Sequence, residues 1–396
     1  MYRSALPDPV ANPESALHRQ YHAGTAPLNG RTESSTDIFQ TMADQGAVAT
    51  AQRMLRHRLE SSPRTALQLH GPQAIMQRKV ALNTSLVGNN LKGLKVSSGG
   101  ALGVVFIPDV VAKPEVDGQS AVDISTSINT VMGGVVDGGW SVSAPSARLA
   151  QVLEVAEIAK ALNLRNQTKP GSVGDQNRVA AMVAALTTRP ENVVIYEQAP
   201  GTDFVNHLAD GALNNAAAKK QSKKGQPKTG SGLAQLADPG YARHLGRIAA
   251  LDIFMGHRDR LHGAGNFENW MSDVRSRRLT LVDNDISNLS LANWSTHQDV
   301  QQLTNQQYPL LANTIVTEID SLLNHQGYGG GKLGAKDLAV WQNTIRPVFQ
   351  TCIEAGLQAG RLKLLQRGWG LVNALRVANS PLADRLEERL NHLHNG

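Results

Sequence analysis

The apolar positions of this 396-residue chain change period several times, and each change marks an element. Two β-branched runs, Val104-Val105-Phe106-Ile107 and Val110-Val111-Ala112, flank Pro108-Asp109, the pattern of two strands joined by a turn. Within residues 146–164, Leu149, Val152, Leu153, Ala156 and Ala159 recur at three- and four-residue spacing, which predicts a helix with Ser146 near its N-cap. Asn192 to Tyr196 reads as a buried strand that breaks into Pro200-Gly201. The apolar run from Gly246 to Met255 predicts a helix that stops at Gly256, and Leu279-Thr280-Leu281-Val282 predicts a short strand. Helical patterns also cover residues 36–80 and, beyond residue 297, segments near 299–325, 335–358 and 360–393.

Chemistry concentrates around the predicted Gly256 stop. His257-Arg258-Asp259-Arg260 follows it, then Asn266 and Asn269 in a polar stretch, and the strand after them delivers Asp283. Phosphoryl transfer from ATP needs a carboxylate near the accepting hydroxyl, and an Asn and a second Asp to hold Mg²⁺ on the phosphates. Those residue types occur here in that order. Upstream, Ser97-Ser98-Gly99-Gly100-Ala101-Leu102-Gly103 precedes the first strand, and small residues let backbone N–H groups approach phosphate oxygens. Lys113 ends the second strand, where its ammonium can meet the α- and β-phosphates. The carboxylate that such a lysine needs is sought in the helix of residues 146–164, whose acids are Glu154 and Glu157. Glu197 to Ala199 lies at the strand break.

Taken together these segments resemble an atypical kinase of the actin-fragmin kinase group, related to the phosphoinositide 3- and 4-kinase-like branch. The resemblance runs over residues 90–290 and rests on Gly246–Gly256, Asp259-Arg260, the paired Asn266 and Asn269, and the apolar strand ending at Asp283. It implies an α+β, two-lobed kinase-like fold with ATP and Mg²⁺ as cofactors. By the same token Lys113, with Ser98, Gly99, Gly100 and Gly103, would grip the triphosphate. Glu157 would pair with Lys113, and Glu197 and Ala199 would hold the base. Asp259 would act at the acceptor, with Arg260 as a further catalytic residue that braces Asp259 or offsets charge, and Asn269 (or Asn266) and Asp283 would ligate the metal. The chain departs from ordinary protein kinases at Ala264, where their metal Asn would fall, and at Asn284-Asp285, where Phe-Gly would follow the metal Asp. Asn269 is favoured because it leads directly into Trp270-Met271.

On this reading the chain divides into a tail (1–35), a helical N-terminal extension (36–85), an N-lobe (86–205) and a C-lobe (206–396) carrying a basic loop at 218–230. That loop holds Lys219, Lys220, Lys223, Lys224 and Lys228, out of 39 basic and 33 acidic residues and a net charge of +6. Aromatic residues make up only 4%, too few for base-stacking platforms, which argues against nucleic acid as a partner. The single cysteine, Cys352, excludes an intramolecular disulfide and a cysteine zinc site. His257 is expected to brace the loop backbone. Gly327 to Leu333 fails as a phosphate loop, because Gln326 stands where the first glycine belongs and Leu333 where Ser or Thr is required.

No apolar run is long enough to span a membrane, and the N-terminus lacks the apolar core of a secretory signal. Its Ser, Ala, Pro, Asn and Thr content resembles the uncleaved export region of bacterial type III effectors. That resemblance implies synthesis in a bacterial cytoplasm, delivery into a host cytoplasm and a role in virulence. Residues 284–300 contain no Lys or Arg, which favours a protein hydroxyl, in a host cytosolic protein, over a lipid headgroup as acceptor. The alternatives are a pseudokinase-type module that captures a partner, transfer of AMP, and an enzyme that awaits an activating partner.

Overall fold

The computed structural model describes residues 82–88, 91, 93–97, 103–204, 232–261, 266–284, 286–287, 289–324 and 335–396. The expected tail, nearly all of the N-terminal extension, the basic loop and the Gly327–Leu333 stretch lie outside the described residues. The fold is α+β, built on two five-stranded sheets.

The first sheet has the order β1 (Lys95–Val96), β2 (Val105–Ile107), β3 (Val110–Pro114), β7 (Val193–Glu197), β6 (Ala147–Leu149), and every pairing in it is antiparallel. Period-two alternation sends Val105, Ile107, Val110, Ala112, Val193 and Ile195 to one face. There they pack against α2 (Val152–Thr168) and α3 (Val173–Thr188), through Val155, Ile158, Leu162, Val179, Met182 and Leu186. The opposite face carries Phe106, Val111, Lys113 and Tyr196, as the register of β2, β3 and β7 requires.

The second sheet has the order β4 (Val136–Asp137), β5 (Trp140–Ser143), β10 (Arg278–Leu281), β9 (Trp270–Asp273), β8 (Thr202–Asp203). Only β5–β10 is parallel. It shares a large core with α1 (Gly118–Met132) and α5 (Pro239–Met255), and with α8 (Tyr308–Leu323), α10 (Arg346–Val377) and α11 (Leu382–Asn395). Gly246 and Gly356 let α5 and α10 touch backbone to backbone: a Cβ on Gly246 would lie 2.4 Å from the Ile353 carbonyl oxygen, and one on Gly356 2.2 Å from that of Arg243.

Several elements differ from expectation. Residues 147–149 are strand, not helix, and α2 begins only at Val152, because the Glu154 carboxylate accepts the Gln151 backbone N–H and fixes the helix start there. The helix α1 adds to the predicted elements. Asp117 caps it by accepting the Ser120 backbone N–H, and Ile124, Ile128, Val131 and Met132 give it a buried stripe. Within residues 86–205, α1 lies against β6 and β7 of the first sheet while β4 and β5 pair in the second, so this stretch contributes to both sheets. The break expected near 359 is absent: α10 runs on from Arg346 to Val377 with Gly360 against α5. A break falls instead at Gln306, whose φ is +58°, between α7 (Gln298–Thr304) and α8.

The chain passes between the sheets after β3, after β5 and after β7. The last crossing contains Gly201 at φ +97°, where a Cβ would stand 2.3 Å from the Ser272 carbonyl oxygen of β9. Only glycine fits so close to the second sheet in that conformation.

Candidate active site

The open face of the first sheet meets the segment after β10 through Lys113 and Asp283, and this junction is the cleft. Lys113 lies on the third strand, on the same side as Val111 and away from the buried Ala112. Its Nζ is 3.0 Å from Glu115 Oε1 and 3.1 Å from Asp283 Oδ1. Glu115 also accepts the Tyr196 hydroxyl at 2.7 Å. Burial alone would lower the Lys113 ammonium, but the Asp283 and Glu115 carboxylates outweigh it and hold its pKa above the usual value. Burial and the Glu115 charge push the Tyr196 hydroxyl far upward, so it remains a donor.

Asp283 follows β10 in the left-handed conformation, φ +49°, with its side chain 55% exposed. Its carbonyl is held at 2.8 Å by His257 Nε2, which must carry the proton because a carbonyl only accepts. The His257 backbone N–H donates to the Asp252 carbonyl at 2.8 Å, so His257 does brace the loop backbone.

Asp259 is exposed beside this group. Asn269 Nδ2 donates both to its Oδ2, at 3.1 Å, and to its carbonyl, at 3.0 Å. That commitment of the amide nitrogen turns the Asn269 oxygen the other way. Asn266 reaches Asp259 Oδ2 only at 3.5 Å and spends its own Oδ1 on the Glu268 N–H, as a turn former does. Of the two asparagines, Asn269, 3% exposed, is the one whose amide oxygen accepts no hydrogen bond from the described residues. The β9–β10 hairpin ties it to the segment before Asp283, through Val282 N–H to the Asn269 carbonyl at 3.1 Å.

Arg260 requires a correction. It faces away from the cleft, 1% exposed, and its guanidinium pairs with the buried Asp252. It also donates to the Asn269 carbonyl at 3.1 Å, the Val282 carbonyl at 3.1 Å and Asn284 Oδ1 at 2.7 Å. Burial depresses its pKa, and Asp252, Asp283 and Asp259 oppose that. Arg260 therefore positions the segments that carry Asn269 and Asp283, without reaching the acceptor side.

Neither acid of α2 meets Lys113. Glu154 is fully buried against Arg148 and the Leu86 and Gln151 N–H groups, and among the described residues Glu157 pairs with Lys160, at 4.0 Å. The acid beside Lys113 is Glu115, which period-two alternation from Lys113 could have located. Asp252, a lone acid inside the apolar run of α5, gave the signal for the buried pair.

Gly103, at φ +71°, closes the glycine stretch just before β2; Ser98, Gly99 and Gly100 lie outside the described residues. At the crossing after β7, the Glu197 N–H already donates to the Ser146 carbonyl and that of Gln198 to Asp109. The half-buried Ala199 is then the crossing residue whose N–H can face a ligand, since Pro200 has none.

Among the described residues no three His, Cys, Asp or Glu side chains converge as a metal cluster. One exposed carboxylate, Asp283, with the Asn269 amide oxygen suits Mg²⁺, which takes few protein oxygens and completes its shell from water and phosphate. No family model, curated protein or solved structure matches this chain.

Proposed function

We propose that this protein is an ATP–Mg²⁺-dependent kinase with a two-lobed, kinase-like fold, and that its acceptor is a protein hydroxyl. One observation carries the reading. Lys113 on β3 and Asp283 just past β10, 170 residues apart in sequence, meet at 3.1 Å, and Asp259 is hydrogen-bonded to Asn269, whose carbonyl takes the N–H of Val282 next to Asp283. A lysine on the third strand, a metal carboxylate across the cleft and an Asp–Asn pair are the parts that phosphoryl transfer requires.

In this mechanism Lys113 binds and orients the α- and β-phosphates. Asp283 and Asn269 would hold Mg²⁺, which supplies charge neutralisation on the β- and γ-phosphate oxygens when bound. Asp259 accepts the proton of the attacking hydroxyl and aligns its oxygen, and Asn269 holds Asp259 for that task. His257 and Arg260 fix the backbone on which these groups ride. Catalysis then comes from positioning and charge rather than from a covalent enzyme intermediate.

Purified protein incubated with Mg²⁺ and either γ- or α-labelled ATP, with a eukaryotic lysate as acceptor, tests the proposal. Label passed only from the γ position, and lost in Asp283→Ala, is expected. Transfer from the α position would mean nucleotidylation, and transfer from neither would sink the kinase reading in favour of a partner-capturing module.

A further inference from the structure

Asp283 cannot both hold a metal and remain the principal counter-charge of Lys113. The described residues provide one other carboxylate paired with Lys113, that of Glu115 at 3.0 Å. Glu115 is fixed at several points. Its backbone N–H donates to the Asn192 carbonyl at 3.0 Å, and its Oε1 accepts the Tyr196 hydroxyl at 2.7 Å. Pro114, between it and Lys113, locks φ in the connecting residue. Tyr196 lies on β7, directly opposite Val111 in the register, so the anchor comes from the neighbouring strand of the same sheet. Glu154 of α2 is bound to Arg148 and Glu157 pairs with Lys160, and on α1 the Asp123 Oδ1 takes the Gln119 amide at 2.8 Å while its buried Oδ2 makes no hydrogen bond to Lys113.

From this we infer that Glu115, held by Tyr196, is the positioning residue for Lys113, so that the lysine's acid partner comes from the end of its own strand rather than from a helix. The inference rests on the kinase reading. When Asp283 turns to the metal, Lys113 keeps one carboxylate and stays aimed at the phosphates. The device lies on two paired strands and the residue that follows one of them, so the lysine needs no helix movement to be correctly placed.

The test uses the full chain with Glu115→Gln, Glu115→Asp, Tyr196→Phe and the Glu115→Gln/Tyr196→Phe double variant, each checked for an unaltered melting profile. Two readouts are taken: kcat/KM for ATP, and the acylation rate of Lys113 by acetic anhydride without nucleotide, followed by mass spectrometry. Glu115→Gln is expected to lower kcat/KM about tenfold or more and to acylate Lys113 several-fold faster, with Glu115→Asp in between. Tyr196→Phe should shift both readouts in the same direction but less, and should add nothing in the double variant, because it acts through Glu115. Unchanged acylation and unchanged kcat/KM in Glu115→Gln would overturn the inference. So would full additivity of the two substitutions. Should acylation respond while the wild-type chain transfers nothing from ATP, the kinase reading falls and the hold of Glu115 on Lys113 stands.

Discussion

Lys113 and Asp283 form an ion pair across the cleft, 3.1 Å between Nζ and Oδ1, with the lysine side chain 25% exposed and the aspartate 55% exposed. A pair so open to water adds little to stability, about 0–1 kcal/mol. Its members are therefore free to serve chemistry. Lys113→Ala and Asp283→Ala should each abolish phosphoryl transfer while moving the melting temperature by no more than about 3 °C, as calorimetry will reveal. A large loss of stability in either variant would recast the pair as structural.

The Asp252–Arg260 pair is the opposite case. Both side chains are almost wholly buried, and removing the Asp252 carboxylate leaves the Arg260 charge with only neutral acceptors bonded to it. Asp252→Asn should cost roughly 3–5 kcal/mol in urea unfolding and should weaken activity with it. A variant that unfolds like the wild type would contradict a positioning role for Arg260.

Stability should fall in two stages as pH drops. His244 is buried, and burial with the nearby Arg247 lowers its pKa to about 4, below the ordinary histidine value. The unfolded chain therefore takes up this proton first. The stability due to neutral His244, present above pH ~6.5, declines as pH falls toward 4, by on the order of 3 kcal/mol. Lower down, burial works against ionised Asp137 and Glu154, but Arg243 with Arg247, and Arg148, overcome it and bring both carboxyls down to about 2. Their contribution holds above the ordinary carboxylate range and is lost as pH drops through that range toward 2. Denaturant unfolding measured against pH should show both limbs, the upper one missing in His244→Asn and the lower one shallower in Glu154→Gln.

Arg389 of α11 reaches back to the candidate site's foundations. It donates to the Phe254 and Met255 carbonyls that end α5, to the Ser287 carbonyl and hydroxyl, and to the Leu289 carbonyl, while stacking on Trp294. Burial, with Arg385 nearby, lowers its pKa to about 10, so it stays charged at neutral pH. Arg389→Met should destabilise the fold by roughly 3 kcal/mol and should raise hydrogen exchange in residues 283–289. Unaltered exchange there would mean that α11 does not steady the segment after Asp283.

Much of this site was legible because its parts are local. The apolar run of α5 ends at Gly256 as its pattern predicts, and that residue adopts φ +71°. Likewise β3 delivers Lys113 and β10 leads to Asp283. What escaped depends on partners distant in sequence. The α1 stretch is rich in Ser, Thr, Asp and Asn, weak helix formers, and is held by packing and by Arg367 of α10, which donates to the Thr130, Val131 and Gly133 carbonyls at its end. Residues 147–149 satisfy a helical and an extended pattern equally, and β7 decides between them. Arg260, next to Asp259, looked like part of the reacting group because sequence does not disclose which way a side chain turns.

The parallel pairing of β5 with β10 has a consequence for how the molecule is made. As the chain leaves the ribosome, the first sheet has all its strands once residue 197 has emerged. The segment from α1 to β5 is by then enclosed between β3 and β6, yet β5 has no strand beside it but the two-residue β4 until residues 278–280 are synthesised. Its apolar side chains, Trp140 and Val142 among them, lack the β10 side of their core until then, a state open to aggregation and to chaperone capture. Translation pauses or chaperone shortage between these two points should therefore lower the yield of folded protein more than the same disturbance applied after β10 is complete.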